Sequence, residues 1–187
     1  MQVRLISSAM ALAAMIALGT PANAEVKKFM NISGGKLAPF FELVVTPPKG
    51  WEAEPDASKK NKAQTFVPRG KDYHSAEAVI YVLVYYKPKE LEQSQYISDS
   101  HERWRKSVPD AKITELPAVE RANGKPAFRP YQYENPSRPQ QAFEIVAFGE
   151  DGDKDGNMFN LKVVITGRDR KAVEKASVPY QTFLRTH

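Results

Sequence analysis

One segment of the chain carries closely spaced acidic residues that could act together on a ligand. Asp151, Asp153 and Asp155 alternate along the sequence and are followed by Gly156. Alternating carboxylates can converge on a hard cation such as Ca²⁺, and the glycine permits the sharp turn that such a loop needs. The spacing matches the first half of the D-x-D-x-D-G calcium-loop pattern. These three aspartates are therefore the candidate metal ligands.

The second half of the calcium-loop pattern is missing. Position twelve, where a bidentate glutamate completes the coordination, is Lys162. Apolar runs with strand character flank the segment, whereas loops of this type join helices. We favour the interpretation that residues 151–156 form an acidic hairpin tip, in which Asp and Gly serve turn geometry and solubility. No cofactor is expected, and weak calcium binding of about millimolar affinity is the alternative.

Other catalytic patterns are absent from the sequence. The chain has no cysteine, and its three histidines, His74, His101 and His187, are not at metal-ligand spacing. It has no G-x-S-x-G elbow and no glycine-rich phosphate loop. We assign no catalytic residue and expect a non-enzymatic protein. A site assembled from residues distant in sequence stays open, and a carboxylate-based hydrolase is the form it would take.

The acidic segment is predicted to join two antiparallel strands within residues 142–166. Further strands are expected at residues 39–46, 63–68 and 78–86, and a hairpin is expected around Asn123-Gly124. The strand at 78–86 is apolar on both faces, which is typical of a central strand covered on both sides. The polar residues 53–62 are expected to form a loop.

Two amphipathic helices are predicted. The first spans about residues 88–108, with His101 on the same face as Trp104, where a lone histidine is interpreted as structural. The second begins after Asp169, a good N-cap, and should be kinked or interrupted by Pro179.

The order of these elements predicts an α+β fold with a mainly antiparallel sheet. Because the strand at 78–86 needs cover on both faces, the two helices are expected to supply one layer each, as a three-layer α/β/α sandwich. Residues 39–187 are expected to form a single domain after a flexible lead-in at residues 25–38.

The amino terminus predicts export. Arg4 precedes an apolar run, and Ala22-Asn23-Ala24 supplies the small-residue pattern of a signal-peptidase site. Residues 1–24 are therefore predicted to be a signal peptide cleaved after Ala24, which places the protein in the periplasm or outside the cell. The run is shorter than the ~20 residues that span a bilayer, and without cysteine no lipidated anchor can form, so no membrane anchor is expected.

The charge of the chain is mildly basic. Removing Arg4 from 27 basic residues leaves 26 against 22 acidic ones, a net charge of +4. No dense basic run is present, so nucleic acid is not an expected partner. The best basic cluster is interpreted as a solvated loop; its members are Lys59, Lys60, Lys62, Arg69 and Lys71.

The layout resembles the PsbP-like fold, which includes the photosystem II accessory protein PsbP and bacterial DcrB-like envelope proteins. An exported amino terminus is followed by a strand that runs into Pro48-Lys49-Gly50-Trp51, and then by a long apolar strand, a helix ending near Trp104, a meander and a final helix. The resemblance covers residues 39–184 and implies an accessory, assembly or interaction protein. It transfers no functional residue, and the lipid anchor of DcrB-like proteins is not expected here.

These observations predict an exported, soluble, non-catalytic binding or accessory protein of the cell envelope. Its partner would be an envelope protein or a small ligand. The alternatives are the carboxylate-based hydrolase and a small-ligand carrier that uses aromatic side chains such as Tyr73, Tyr131 and Tyr133. The same aromatic residues also suit strand packing.

Overall fold

Long apolar strands organise this molecule, which a computed structural model describes for residues 25–33, 36–122 and 124–187. The fold is α+β, with a seven-stranded antiparallel sheet and four α-helices in the described residues. The predicted class and the mainly antiparallel sheet are therefore confirmed. The predicted signal peptide (1–24) and Asn123 of the predicted turn lie outside the described residues.

The strands are β1 Glu25–Ser33, β2 Lys36–Val44, β3 Trp51–Ala53, β4 Gln64–Pro68, β5 Ala78–Tyr86, β6 Lys112–Glu115, β7 Arg129–Glu134, β8 Phe143–Gly152 and β9 Met158–Gly167. The helices are α1 Pro55–Asn61, α2 Gln93–Ser107, α3 Arg170–Lys175 and α4 Ser177–Thr186, and Pro139–Gln141 forms a 3₁₀ turn. Strands β1 and β2 form a separate hairpin. The main sheet has the order β3-β4-β5-β9-β8-β7-β6, and all of its pairs are antiparallel.

Alternate residues of the central strands contribute to two apolar clusters. In β9, Leu161 and Val163 join a cluster that includes Val173 of α3 and Phe183 of α4. Val164, the residue that follows Val163 in the strand, joins a second cluster. The second cluster includes Tyr96 and Ile97 of α2, together with Tyr131 and Tyr133 of β7 and Val146 and Phe148 of β8. The two-faced apolar pattern predicted for β5 appears in the same way, since Ile80 belongs to the first cluster and Leu83 packs on the second.

Two predicted irregular segments are ordered. Residues 25–33, expected to be part of a loose lead-in, form β1 and pair with β2 along its length. The loop prediction for residues 53–62 is wrong, because these residues contain α1. The Glu54 side chain accepts a hydrogen bond from the Ala57 N–H, and Pro55 stands at the start of the helix, where a missing N–H costs nothing. Lys62 ends the helix in the left-handed region, with φ of 50°.

The carboxy-terminal helix is interrupted as predicted. Asp169 caps α3 by accepting the Ala172 N–H at 2.8 Å. Proline at 179 has no N–H for the carbonyl of Lys175, and its ring would clash with that carbonyl in a continuous helix. The chain accordingly breaks at Ala176, and α4 starts one residue later.

No helix in the described ranges has both the length and the apolar character needed to cross a membrane.

Candidate functional site

The three aspartates predicted as metal ligands have different surroundings. Asp151 is buried, and its Oδ2 lies 3.2 Å from Arg121 Nη2 and 2.6 Å from Lys125 Nζ. Asp153 supports the turn, because its Oδ1 accepts the backbone N–H groups of Asp155 and Asn157, each at 2.9 Å. Asp155 is exposed. Asp151 is thus part of a buried ion-pair network, and the other two aspartates belong to the hairpin tip.

The hydrogen bonds of Asp153 are relevant to the alternative that this acidic segment binds calcium. The Asn157 side-chain amide also donates to Asp153 Oδ2 at 2.8 Å, and these hydrogen bonds lower the pKa of the Asp153 carboxyl. The hydrogen bonds therefore give Asp153 a structural task in the turn. Over the described ranges, no three His, Cys, Asp or Glu side chains are close enough together to hold a metal ion. Weak calcium binding stays an untested prediction.

The three histidines lie apart. His74 is exposed, and its ring packs edge-on against Tyr73. His101 packs against Tyr131 with ring centroids 4.6 Å apart, and burial lowers its pKa to about 4. His187 is buried and stacked on Phe183. Its Nδ1 lies 3.0 Å from both the Thr186 hydroxyl and the Phe183 carbonyl oxygen, within the last turn of α4.

The candidate site that contains a buried acid is a cavity of about 350 Å³ at the carboxyl end of α2, which we call the Glu144 cavity. Its size falls in the range of small-molecule sites. Val146 and Val164, paired across β8 and β9, form an apolar floor. The side chains with aromatic rings in its lining are Tyr73, Tyr81, Trp104 and Tyr133. The charged side chains are Glu144, Lys162 and Arg138.

Glu144 is a buried acid without a salt bridge. Its exposed fraction is 4%, and burial raises the pKa of its carboxyl above the usual value, against the effects of neighbouring Thr166 and Lys162. A carboxylate out of water is costly unless paired. None of the salt bridges among the described residues involves Glu144 or Lys162. The cavity therefore contains an acidic and a basic side chain that interact electrostatically but form no salt bridge with each other.

Lys162 is the cationic counterpart at another part of the cavity. Burial lowers the pKa of its ammonium group, and the Glu144 carboxylate opposes that shift. Its Nζ lies 3.5 Å from Ser100 Oγ, at the limit of a hydrogen bond, and 5.8 Å from the centre of the Phe148 ring. These weak contacts leave most of its hydrogen-bonding capacity unused.

Tyr133 adds an unsatisfied group to the cavity lining. Its exposed fraction is 1%, and its hydroxyl makes no hydrogen bond with any described residue. Burial raises the pKa of this phenol, and nearby Glu144 raises it further, so the hydroxyl is a donor at neutral pH. A buried donor of this kind costs about 1–3 kcal/mol when left unpaired.

On the α2 side of the Glu144 cavity, hydrogen bonds and a cation–π contact fix the position of the lining side chains. Trp104 Nε1 donates to Asn135 Oδ1 at 3.0 Å, and Asn135 Nδ2 donates to the Gln141 carbonyl at 2.9 Å. The Arg138 guanidinium lies 5.1 Å from the Trp104 ring centroid and donates to Ser107 Oγ at 2.6 Å. The indole is therefore held in place by two hydrogen-bonded neighbours.

On the β5 side, the hydroxyl groups of Tyr73 and Tyr81 lie 2.8 Å apart and close the cavity edge. The same two tyrosines line a neighbouring cavity of about 560 Å³ that also includes His74 and Glu77. His74 and Glu77 are both exposed. Among the described residues, the lining of this second cavity contains no buried charge.

The sequence predicted part of this site. Tyr73 and Tyr133, named for a small-ligand carrier, line the Glu144 cavity, whereas Tyr131 packs under His101 and is outside the lining. Glu144 and Lys162 were not predicted as site residues. The signal that could have found them is a single charged residue on an otherwise apolar stretch of each strand: Glu144 near the start of β8 and Lys162 in the middle of β9.

Comparison with known proteins finds no family model that matches the chain and no curated protein that is similar to it.

Proposed function

We propose that this is an exported, non-catalytic binding protein of the cell envelope, and that the Glu144 cavity holds its small ligand. The observation that carries the proposal is the buried Tyr133 hydroxyl, which has no partner beside a buried carboxylate that has no salt bridge. Both groups cost stability as long as they lack a partner. Such a cost is typical of binding sites, where a ligand supplies the missing hydrogen bonds.

The lining of the cavity favours binding over hydrolysis. Two-carboxylate hydrolysis needs a second acid to act with the first. Glu144 is the single acidic residue of this lining among the described residues. The neighbouring cavity also has one acid, Glu77, and it is exposed beside an exposed His74. A carrier with aromatic walls therefore accounts for more of the site than the hydrolase alternative does.

We also infer a three-layer α/β/α arrangement in which α2 covers one face of the sheet and α3 and α4 cover the other. The support is that α2 residues join the cluster of Val164, whereas α3 and α4 residues join the cluster of Val163, the adjacent residue of the same strand. Successive strand residues point to opposite faces. This layering also supports the PsbP-like resemblance, which remains part of the proposal.

Export is the remaining part of the proposal. The apolar run after Arg4 and the Ala22-Asn23-Ala24 pattern support it. In a secreting host, we expect the protein in the exported fraction with Glu25 as its first residue by amino-terminal sequencing. An uncleaved chain retained in the cytoplasm would contradict this.

The binding function is tested by equilibrium dialysis of the purified protein against the small-molecule fraction of its source cells, followed by mass spectrometry. We expect at least one molecule to be enriched by the wild type. Val164→Phe fills the apolar floor and should abolish enrichment, and Tyr133→Phe, which removes only the free hydroxyl, should weaken it. Glu150→Gln, which lies outside the cavity and pairs with Lys87, is the matched control.

If the wild type and Val164→Phe give the same dialysis profile while both are folded by circular dichroism, the cavity is not a binding site. If Val164→Phe does not fold, Tyr133→Phe decides the question, because removal of a single hydroxyl leaves the packing of the ring intact.

A further inference from the structure

The two unpaired charges of the Glu144 cavity lie at opposite ends of its apolar floor. Glu144 pairs with Thr166 across β8 and β9, and Lys162 lies four residues from Thr166 along β9. At ~3.3 Å per strand residue, the two pairs are about 13 Å apart along the sheet. Val146 and Val164 pair between them and face the cavity. The cavity is therefore negative at one end, positive at the other and apolar between.

The Lys162 side chain stays at its own end. Its Nζ lies near Ser100 of α2 and over the ring of Phe148, which pairs with Lys162 in register. The Glu144 carboxyl stays near Thr166 and Asn135 at the other end. The two charged groups therefore do not neutralise each other by direct contact.

We propose that the ligand of this cavity is a small linear zwitterion, whose ammonium group binds Glu144 and whose carboxylate binds Lys162. This inference rests on the proposed binding function. Each charge of such a ligand would meet a partner that the protein otherwise leaves without a salt bridge, and its apolar spacer would lie on the valine floor. A ligand with a single charge would leave one protein charge buried and unpaired, which is costly.

The aromatic walls suit the ammonium end. Tyr133 pairs with Glu144 across β7 and β8, so its ring and the Glu144 side chain lie side by side on one face of the sheet. An ammonium group beside a carboxylate and a tyrosine ring gains both charge pairing and a cation–π contact. The Trp104 ring completes this wall, and its own cation–π partner, Arg138, keeps it oriented.

The register also limits the length of the ligand. We take the backbone spacing of the two pairs, on the order of 10–13 Å, as the spacing of the charged groups. Two charge-assisted hydrogen bonds of about 2.8 Å each then leave roughly 4–7 Å between the ligand charges. A chain of about three to five methylene groups spans that distance at ordinary bond lengths. An α-amino acid headgroup, whose two charged groups are attached to the same carbon, is too short to reach both residues.

The test is isothermal titration of the purified protein with 5-aminopentanoate, pentylamine and pentanoate, which share a chain and differ in charge. We expect the zwitterion to bind at least tenfold more tightly than either singly charged probe, and glycine to bind no better than they do. Trp104 fluorescence should report the same binding, and the signal should persist in Trp51→Phe and be lost in Trp104→Phe.

Two variants separate the ends of the site. Glu144→Gln should reduce the affinity for 5-aminopentanoate at least tenfold and leave the affinity for pentanoate unchanged. Lys162→Met should also reduce the affinity for 5-aminopentanoate at least tenfold, but it should leave the affinity for pentylamine unchanged. Glu150→Gln is again the control, with affinity unchanged.

The outcomes distinguish this inference from the proposed function. Pentylamine or pentanoate binding as tightly as the zwitterion, or no binding of 5-aminopentanoate by the wild type, overturns the zwitterion class. Neither result changes the outcome of the dialysis comparison between the wild type and Val164→Phe. That comparison tests the binding function by itself. Equal affinity in the wild type and both charge variants would also overturn the inference.

Discussion

Replacing Asp151 with asparagine tests whether this residue is a structural ion-pair partner. Its carboxylate contacts Arg121 at 3.2 Å and Lys125 at 2.6 Å, and the Arg121 side chain has an exposed fraction of 0%. Burial lowers the pKa of the Arg121 guanidinium, and Asp151 opposes that shift. Asp151→Asn keeps the shape but leaves the buried guanidinium without its counter-ion.

The expected loss can be worked from these contacts. Removing one member of a buried ion pair costs about 3–5 kcal/mol when the other charge is left uncompensated. Arg121 would keep three carbonyl acceptors, Glu150 O at 2.8 Å, Pro126 O at 3.5 Å and His187 O, which compensate part of the loss. We therefore expect a decrease of about 2–4 kcal/mol in the free energy of unfolding.

Urea denaturation in the presence of a chelator is the suitable assay, because it removes any contribution from metal binding. The midpoint should fall while the m-value stays constant. Asp155→Asn is the matched control: it removes a charge from the exposed tip of the same hairpin and should change stability by less than ~0.5 kcal/mol.

Equal stability of Asp151→Asn and Asp155→Asn would refute the ion-pair argument. A loss that appears only when calcium is present and vanishes in the chelator would instead identify Asp151 as a metal ligand. The double variant Arg121→Met with Asp151→Leu should lose less than the sum of the two single losses, since it removes both charges together.

Three further predictions concern pH, packing and metal. Burial, together with the positive charges of Arg105 and Lys162, lowers the pKa of His101 to about 4. The stability that depends on its neutral ring is therefore present above ~pH 6.5 and is lost as the pH falls toward 4. Because the ring is partly solvated, His101→Phe should remove only about 1–2 kcal/mol of this pH dependence, measured as the difference between wild-type and variant urea midpoints from pH 7 to pH 4; parallel curves would contradict it. A Cβ at Gly149 would overlap the ring of Phe128, so Gly149→Ala should lower the free energy of unfolding by about 1–3 kcal/mol, measured by thermal unfolding. Gly152→Ala should cost less, because its Cβ would lie 3.3 Å from the flexible sulfur of Met158. Equal losses in the two variants would contradict the packing argument. Calcium titration should give only heat of dilution for the wild type and Asp153→Asn, and a saturable heat that disappears in Asp153→Asn would establish the metal site.

Local patterns were sufficient for most of the elements. The apolar run at 78–86 became β5 with the predicted bounds, and the Asp169 cap and the break caused by Pro179 appeared as predicted. These features depend on steric and hydrogen-bonding rules within a few residues. The missed helix α1 had a local signal too, since Glu54 and Pro55 are suitable start residues, but the low apolar content of the segment favoured a loop.

The sequence by itself determined the α+β class, the acidic turn and the lack of catalytic motifs, because periodicity, turn residues and residue types are local properties. Only the tertiary structure decided that Asp151 pairs with Arg121, thirty residues away, and that Glu144, Lys162 and Tyr133 line one cavity. Those contacts depend on strand register and order, which a single sequence leaves open. A two-residue shift of β9 against β8 keeps every apolar residue on its face but moves Lys162 to a different partner. The charges at the two ends of the cavity are thus a consequence of the pairing of β8 with β9.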